Sequence, residues 1–183
     1  MRSITFTSAL LVAGQAIAQG APTHGCFARD YGADHLAAHP DQIVARMVVL
    51  IGPATVILPS LPSWRELAES SQSADMLNPD QTWMRMAVET TNQGHVAASG
   101  HGGQSFEQTL VCGGGGCGVE CDGGGFETER DDGDILQFRT DYLMVGDTGG
   151  CGGAIDLAER PREPVSYRLS RVPDALCAEE FAE

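Results

Sequence analysis

The sequence predicts a mainly β protein: an antiparallel barrel or sandwich of about eight strands with one or two short helices, stapled by disulfides. Three observations predict it. Short apolar runs, several with a two-residue period, recur along the chain between Gly, Pro, Asp and Asn. No strand alternates with a long helical pattern, which removes doubly wound and βα-barrel folds. Six cysteines stand among 23 glycines, a composition suited to cross-links and tight corners.

Val44 to Ile51 is apolar and β-branched, and Ala54 to Leu58 reads as a further strand after Gly52-Pro53. In Trp83 to Thr90, Met84, Met86 and Val88 share one face, and Arg85, Ala87 and Glu89 the other. His95 to Ser99 and Ser105 to Cys112 follow, the latter with Phe106, Gln108 and Leu110 on one face. Phe126 to Arg130 and Ile135 to Arg139 flank Asp131-Asp132-Gly133-Asp134, a hairpin whose Asp-Gly supplies the positive φ angles of the turn. Tyr142 to Val145 and Ser166 to Val172 read as the last strands. The Met84-Arg85-Met86 run is core, although thioethers also suit copper.

Two helical stretches are expected. Ser63-Trp64-Arg65-Glu66 has the form of a capping box, with Trp64, Leu67 and Ala68 as the buried stripe. The polar run that follows, from Ser70 to Gln81, is a loop, either a binding loop or a neutral insertion. Asp34 is placed to cap a turn over His35 to His39, which Pro40 then interrupts.

Arg2, the apolar run Ile4 to Ala13 and the small-residue site Ala16-Ile17-Ala18 predict a secretory signal peptide over residues 1–18. The expected mature chain, 19–183, is a single β-rich domain that is periplasmic or secreted. Thr23-His24-Gly25-Cys26 is a poor lipobox, and no run reaches the about 18 apolar residues of a membrane span. The chain carries 11 arginines, no lysine and 25 acids, for a formal charge of −14. Such a balance argues against nucleic acid and anionic membrane as partners.

Export makes disulfides the expected state of Cys26, Cys112, Cys117, Cys121, Cys151 and Cys177, with the pairing open. One plausible bridge joins the outermost two, Cys26 and Cys177, and clamps the ends of the domain. The C-x4-C-x3-C spacing of the middle cluster is not that of a zinc ribbon. No C-x-x-C occurs, which argues against a redox thiol.

The densest collection of functional groups is Cys26-Phe27-Ala28-Arg29-Asp30-Tyr31-Gly32-Ala33-Asp34-His35-Leu36-Ala37-Ala38-His39-Pro40-Asp41-Gln42. This stretch resembles uncharacterised exported proteins of proteobacteria with a Cys-aromatic-x-Arg start and a His-Leu-Ala-x-His-Pro-x-Gln core. The resemblance extends to Val119 to Phe126 and implies export, but no activity. His35 and His39 are four residues apart, so one helical turn puts both on one side. That is half of a divalent-metal site, which Asp34, Asp41, His24, His95 or His101 would have to complete. Leu36 stands where a zincin needs Glu. The competing reading is a structural polar lock of Arg29, Asp30, Asp34, His35 and His39 that pins the N-terminal segment across the barrel end.

The other motifs are weaker. Asp131, Asp132 and Asp134 lack calcium-loop spacing. The glycine runs at 113–116 and 123–125 are not followed by a phosphate-loop Lys. No Gly-x-Ser-x-Gly elbow is present. Glu127 and Glu129 share one strand face, whereas a glycosidase takes its acids from opposite walls of a cleft. The function expected is therefore non-catalytic binding of a small ligand or an envelope protein partner, with no catalytic residue and no cofactor. The alternatives are a periplasmic metal-binding protein using His35 and His39, and an enzyme of unassigned class.

Overall fold

The computed structural model describes residues 20–57, 81–119, 122–147 and 153–182. Among them run nine strands: β1 Gly25–Asp30, β2 Val44–Pro53, β3 Thr82–Thr90, β4 Ser105–Gly113, β5 Gly116–Gly118, β6 Gly124–Asp131, β7 Ile135–Asp147, β8 Gly153–Asp156 and β9 Val165–Arg171. The short helices are α1 Ala33–Ala38, α2 Ala54–Ile57, α3 Gly94–Ala98 and α4 Asp174–Glu180.

The sheet closes into an eight-stranded antiparallel barrel, in ring order β1-β2-β3-β4-β5-β6-β7-β9. The ring is completed where Phe27 pairs with Arg171 and Ala28 with Ser170. β8 stands outside the ring and pairs with β7 from Met144 to Asp147. Barrel, not sandwich, is the outcome, because closure leaves neither β6 nor β9 as an open edge.

The alternation seen in the sequence decides which side chains fill the barrel. Met84, Met86 and Val88 of β3 and Leu110 of β4 point inward, with Phe27, Met47, Val49, Phe138 and Tyr167. The interior is close-packed side chain: Phe126 stacks on Phe138 with centroids 4.2 Å apart. The outer face of β1–β3 is also buried. α4 lays Leu176, Cys177 and Phe181 over Ala28, Val48 and Ala87. α2 covers Trp83 with Ala54 and Ile57. These strands therefore carry apolar residues on both faces.

Two expected strands are helices. Pro53 has no N–H with which to continue the ladder, and α2 turns away directly behind it. Gly94, at φ +57°, breaks the extended chain before α3, and Val96 then drops into the core fully buried. Ile135 to Val145 is one strand rather than two, carried through a bulge. In α1 the cap position is Gly32, and Asp34 lies inside the first turn. The expected helix at Ser63 lies outside the described residues.

Among the described residues two disulfides are present. Cys26–Cys177 ties β1 to α4 across 151 residues, and Cys112–Cys117 ties β4 to β5 across five. Cys112 and Cys117 are direct cross-strand partners, with Cα atoms 4.0 Å apart. Cys121 and Cys151 lie outside the described residues.

Loop-closure entropy predicts unequal contributions from the two bridges. Replacing Cys26 and Cys177 together by Ala should cost about 5 kcal/mol, and replacing Cys112 and Cys117 about 2 kcal/mol. Urea unfolding of the two double variants checks the order. Equal losses would overturn it.

Candidate functional site

The structure disperses most of the residues that the sequence singled out. Arg29 lies over the Tyr31 ring, 5.3 Å from its centroid. Asp30 pairs instead with Arg46 of β2 at 3.3 Å. Asp34 is exposed on α1. His35 and His39 do come together, one turn apart on α1, with rings stacked 4.1 Å apart and 20° from parallel. The His39 Nδ1–H donates to the His35 carbonyl at 2.8 Å, which leaves the Nε2 lone pair free in the neutral ring. Stacked imidazoles direct their nitrogens side by side rather than toward one point. Among the described residues no three His, Cys, Asp or Glu side chains converge as metal ligands.

These histidines sit on a capped barrel end. The segment after β8 crosses that end, with Leu157 and Ala158 fully buried. The Tyr167 hydroxyl donates to the Leu157 carbonyl at 2.8 Å, and His95 Nε2–H donates to the Ala158 carbonyl at 3.0 Å. Arg160 forms an ion pair with Asp41. Glu159 faces this cluster half-buried. Burial raises its carboxyl above the ordinary range, the Asp41 charge adds to the rise, and His39, Arg160 and His35 oppose it. Burial likewise raises Tyr31, with Arg29 opposing, and it pushes Tyr167 well up. His35 Nε2 and Gln93 Oε1 are buried here without a partner. Sequence reasoning missed Glu159, because nothing local marks it; only the crossing segment brings it to α1.

A second site is an open groove of about 550 Å³ on the outer face of β4–β7. Its floor comes from alternation. Because Cys112, Cys117 and Phe126 point inward, Gly113, Gly116, Gly118 and Gly125 are the outward positions of three adjacent strands. Two of these glycines are sterically required. A Cβ at Gly116 would stand 1.9 Å from the Phe126 carbonyl oxygen, and one at Gly125 would stand 2.7 Å from that of Cys117. Gly113 is different: its nearest neighbour would be Gln81 Nε2, at 3.9 Å.

The walls are Glu127, Arg139 and Asp141, with Val111 and Pro164 also lining the groove. The bulge in β7 makes one wall. Between the Gly125–Tyr142 and Glu127–Arg139 pairs two residues of β7 oppose one of β6, so Asp141 and Tyr142 both face outward. The Thr140 hydroxyl fixes the bulge by donating to the Gly125 carbonyl at 2.7 Å. Among the described residues, Glu127, Arg139 and Asp141 form no ion pair. Arg139 does help to hold the Glu129 carboxyl below its usual range, after hydrogen bonds from Gln137 and Ser166. Beneath the floor the Cys112–Cys117 bridge faces the core. Sequence reading took these glycines as corners and missed the groove, since only the register sets them side by side.

No protein-family model, curated protein or solved structure matches this chain.

Two pH dependences follow from the capped end. A tyrosine with a raised folded-state pKa contributes stability that is whole below the unfolded value of 10.0 and is lost as pH rises through the folded one. Alkaline unfolding should therefore begin above about pH 10. Tyr167→Phe should cost about 1 kcal/mol at pH 7 through the lost hydrogen bond, yet flatten the alkaline limb. Glu159 has the same sign at lower pH: its stability is whole below the ordinary carboxylate range and declines as pH rises. Glu159→Gln should raise the stability at pH 7 by less than about 1 kcal/mol after discounting for solvent screening, and lose that gain toward pH 4. Melts across this range check both signs.

Proposed function

We propose that the protein is an exported, disulfide-stabilised barrel that acts by binding, and that its ligand seats in the groove between β4 and β7. The observation that carries this reading is the groove itself. It combines bare backbone, two carboxylates and a guanidinium, none of them ion-paired within the described residues, on a rigid sheet. Its volume falls within the ~300–1,000 Å³ of small-molecule sites. The filled interior favours a ligand on the outside of the barrel over one within it. An eight-stranded barrel is narrow enough for side chains to fill, and twenty-two buried residues form one continuous cluster here.

Export is supported by the residue 1–18 pattern and by the two bridges, which persist in oxidising compartments. Among the described residues no helix is long and apolar enough to cross a membrane. The stacked geometry of His35 and His39 gives a metal reading no support. The Glu159 cluster lies under and around the crossing segment, where it serves the closure of the barrel end.

Gly113→Leu tests the reading. Its φ is outside the positive region and its Cβ meets only Gln81 Nε2, at an ordinary contact distance of 3.9 Å, so the variant should fill the groove and leave the melting temperature within about 2 °C. Native mass spectrometry of the protein purified from its own source should show extra mass in the wild type that Gly113→Leu loses. No extra mass in either, or equal mass in both, would remove the groove as the ligand seat.

A further inference from the structure

We infer that the groove between β4 and β7 takes a neutral saccharide; the inference rests on the groove reading above. The chemistry of the walls selects the ligand. Glu127 and Asp141 are acceptors only, and Arg139 is a donor only. A ligand that satisfies all three must both donate and accept at closely spaced points, as neighbouring sugar hydroxyls do. A hydrocarbon ligand would strip water from three charged groups and return no hydrogen bonds. A polyanion would meet two carboxylates for one cation, on a chain of formal charge −14. A simple cation would be repelled by the Arg139 guanidinium that lines the same groove, opposite Glu127 in the β6–β7 register.

A peptide added as an extra strand is also disfavoured. β5 is paired on both sides, with β4 and β6, and β6 is paired with β5 and β7. The main chain around the groove therefore presents no open edge for strand addition.

The floor suits the flat C–H face of a sugar ring. Gly113, Gly116, Gly118 and Gly125 let a ring approach the peptide planes without meeting a Cβ. Among the described residues the large aromatic exposed nearby is Tyr142, 43% accessible, and a Cβ at Gly124 would stand 2.5 Å from its ring. Its ring thus lies on the sheet beside the floor, placed to cover the apolar face of a second ring in the same chain of sugars. Hydroxyl recognition at the wall and C–H packing on floor and ring are the two halves of saccharide binding.

The test is a titration of the ¹⁵N-labelled protein, disulfides intact, with a panel of neutral oligosaccharides of glucose, galactose, mannose and N-acetylglucosamine. A uronic-acid oligosaccharide serves as control. The expected result is saturable shifts of the Gly113 to Gly118 and Gly125 amides with at least one neutral sugar, and none with the uronate. Arg139→Ala should weaken that binding at least about tenfold, as the loss of a charge-assisted hydrogen bond. Tyr142→Ala should weaken it less, and both variants should keep the wild-type melting temperature within about 2 °C. Shifts with no member of the panel, tighter binding of the uronate, or shifts that map away from the groove would each overturn the inference. The two levels fail separately. If Gly113→Leu sheds a co-purified molecule that is not a sugar, the saccharide falls and the groove stands. If no sugar binds and no co-purified mass responds to that variant, both fall.

Discussion

The barrel depends on the pairing capacity of a single strand. β7 runs thirteen residues, offers one edge to β6, and divides the other between β9 and β8. Every N–H and C=O it carries must find a partner, and closure of the ring is how they do so. Without it, β6 and β9 would be open edges and the interior would meet water. β7 also carries the bulge: it takes up one extra residue against β6 between Arg139 and Tyr142, where the Thr140 hydroxyl donates to the Gly125 carbonyl. That residue is what puts Asp141 and Tyr142 outside together, so the strand that closes the core also shapes the groove.

The barrel wall is used unequally around its circumference. Over β1–β3 a second apolar layer is laid on the outside, by α2 and by α4 with its bridge to Cys26. At the groove of β4–β7 the backbone is left bare by Gly113, Gly116, Gly118 and Gly125. The first half supplies stability, and the second half presents a surface. The two disulfides follow this division. The long one holds a seven-residue helix that is too short to stand alone in water, and the short one braces the floor from the core side.

Much of the fold could be read directly. The hairpin forms where the sequence put it, but of the Asp-Gly pair Gly133 alone takes a positive φ, +86°, while Asp132 keeps an ordinary backbone and accepts N–H bonds from Asp134 and Ile135. Met84, Met86 and Val88 face inward as their alternation required. The failures have a common cause. Ala54 to Leu58 and His95 to Ser99 have strand-like composition, but each follows a residue that ends extended structure, and the helices there pack Ala54 and Ile57 on Trp83 and bury Val96 in the core. β1 shows no alternation in its sequence because both of its faces are covered: Phe27 packs in the interior and Cys26 under α4. β5, at three residues, carries too few side chains to show a period.

Of the candidate sites, the sequence made the His35–His39 pair visible, because four residues is one helical turn. It could not show that the rings stack, that Glu159 arrives from 120 residues further along the chain, or that a groove exists at all. Strand composition, the hairpin, the inward faces and the supply of cysteines are local properties, carried by neighbours a few residues apart, and the sequence determined them by itself. Barrel over sandwich, the two observed pairings, the filled interior and the meeting of glycines from three strands with Arg139 and Asp141 of a fourth were decided only in the tertiary structure. The physical reason is register. A shift of β6 by one residue against β5 would turn Gly125 inward and part it from Gly116 and Gly118, and register is set by the closure of the whole ring rather than by any segment of it.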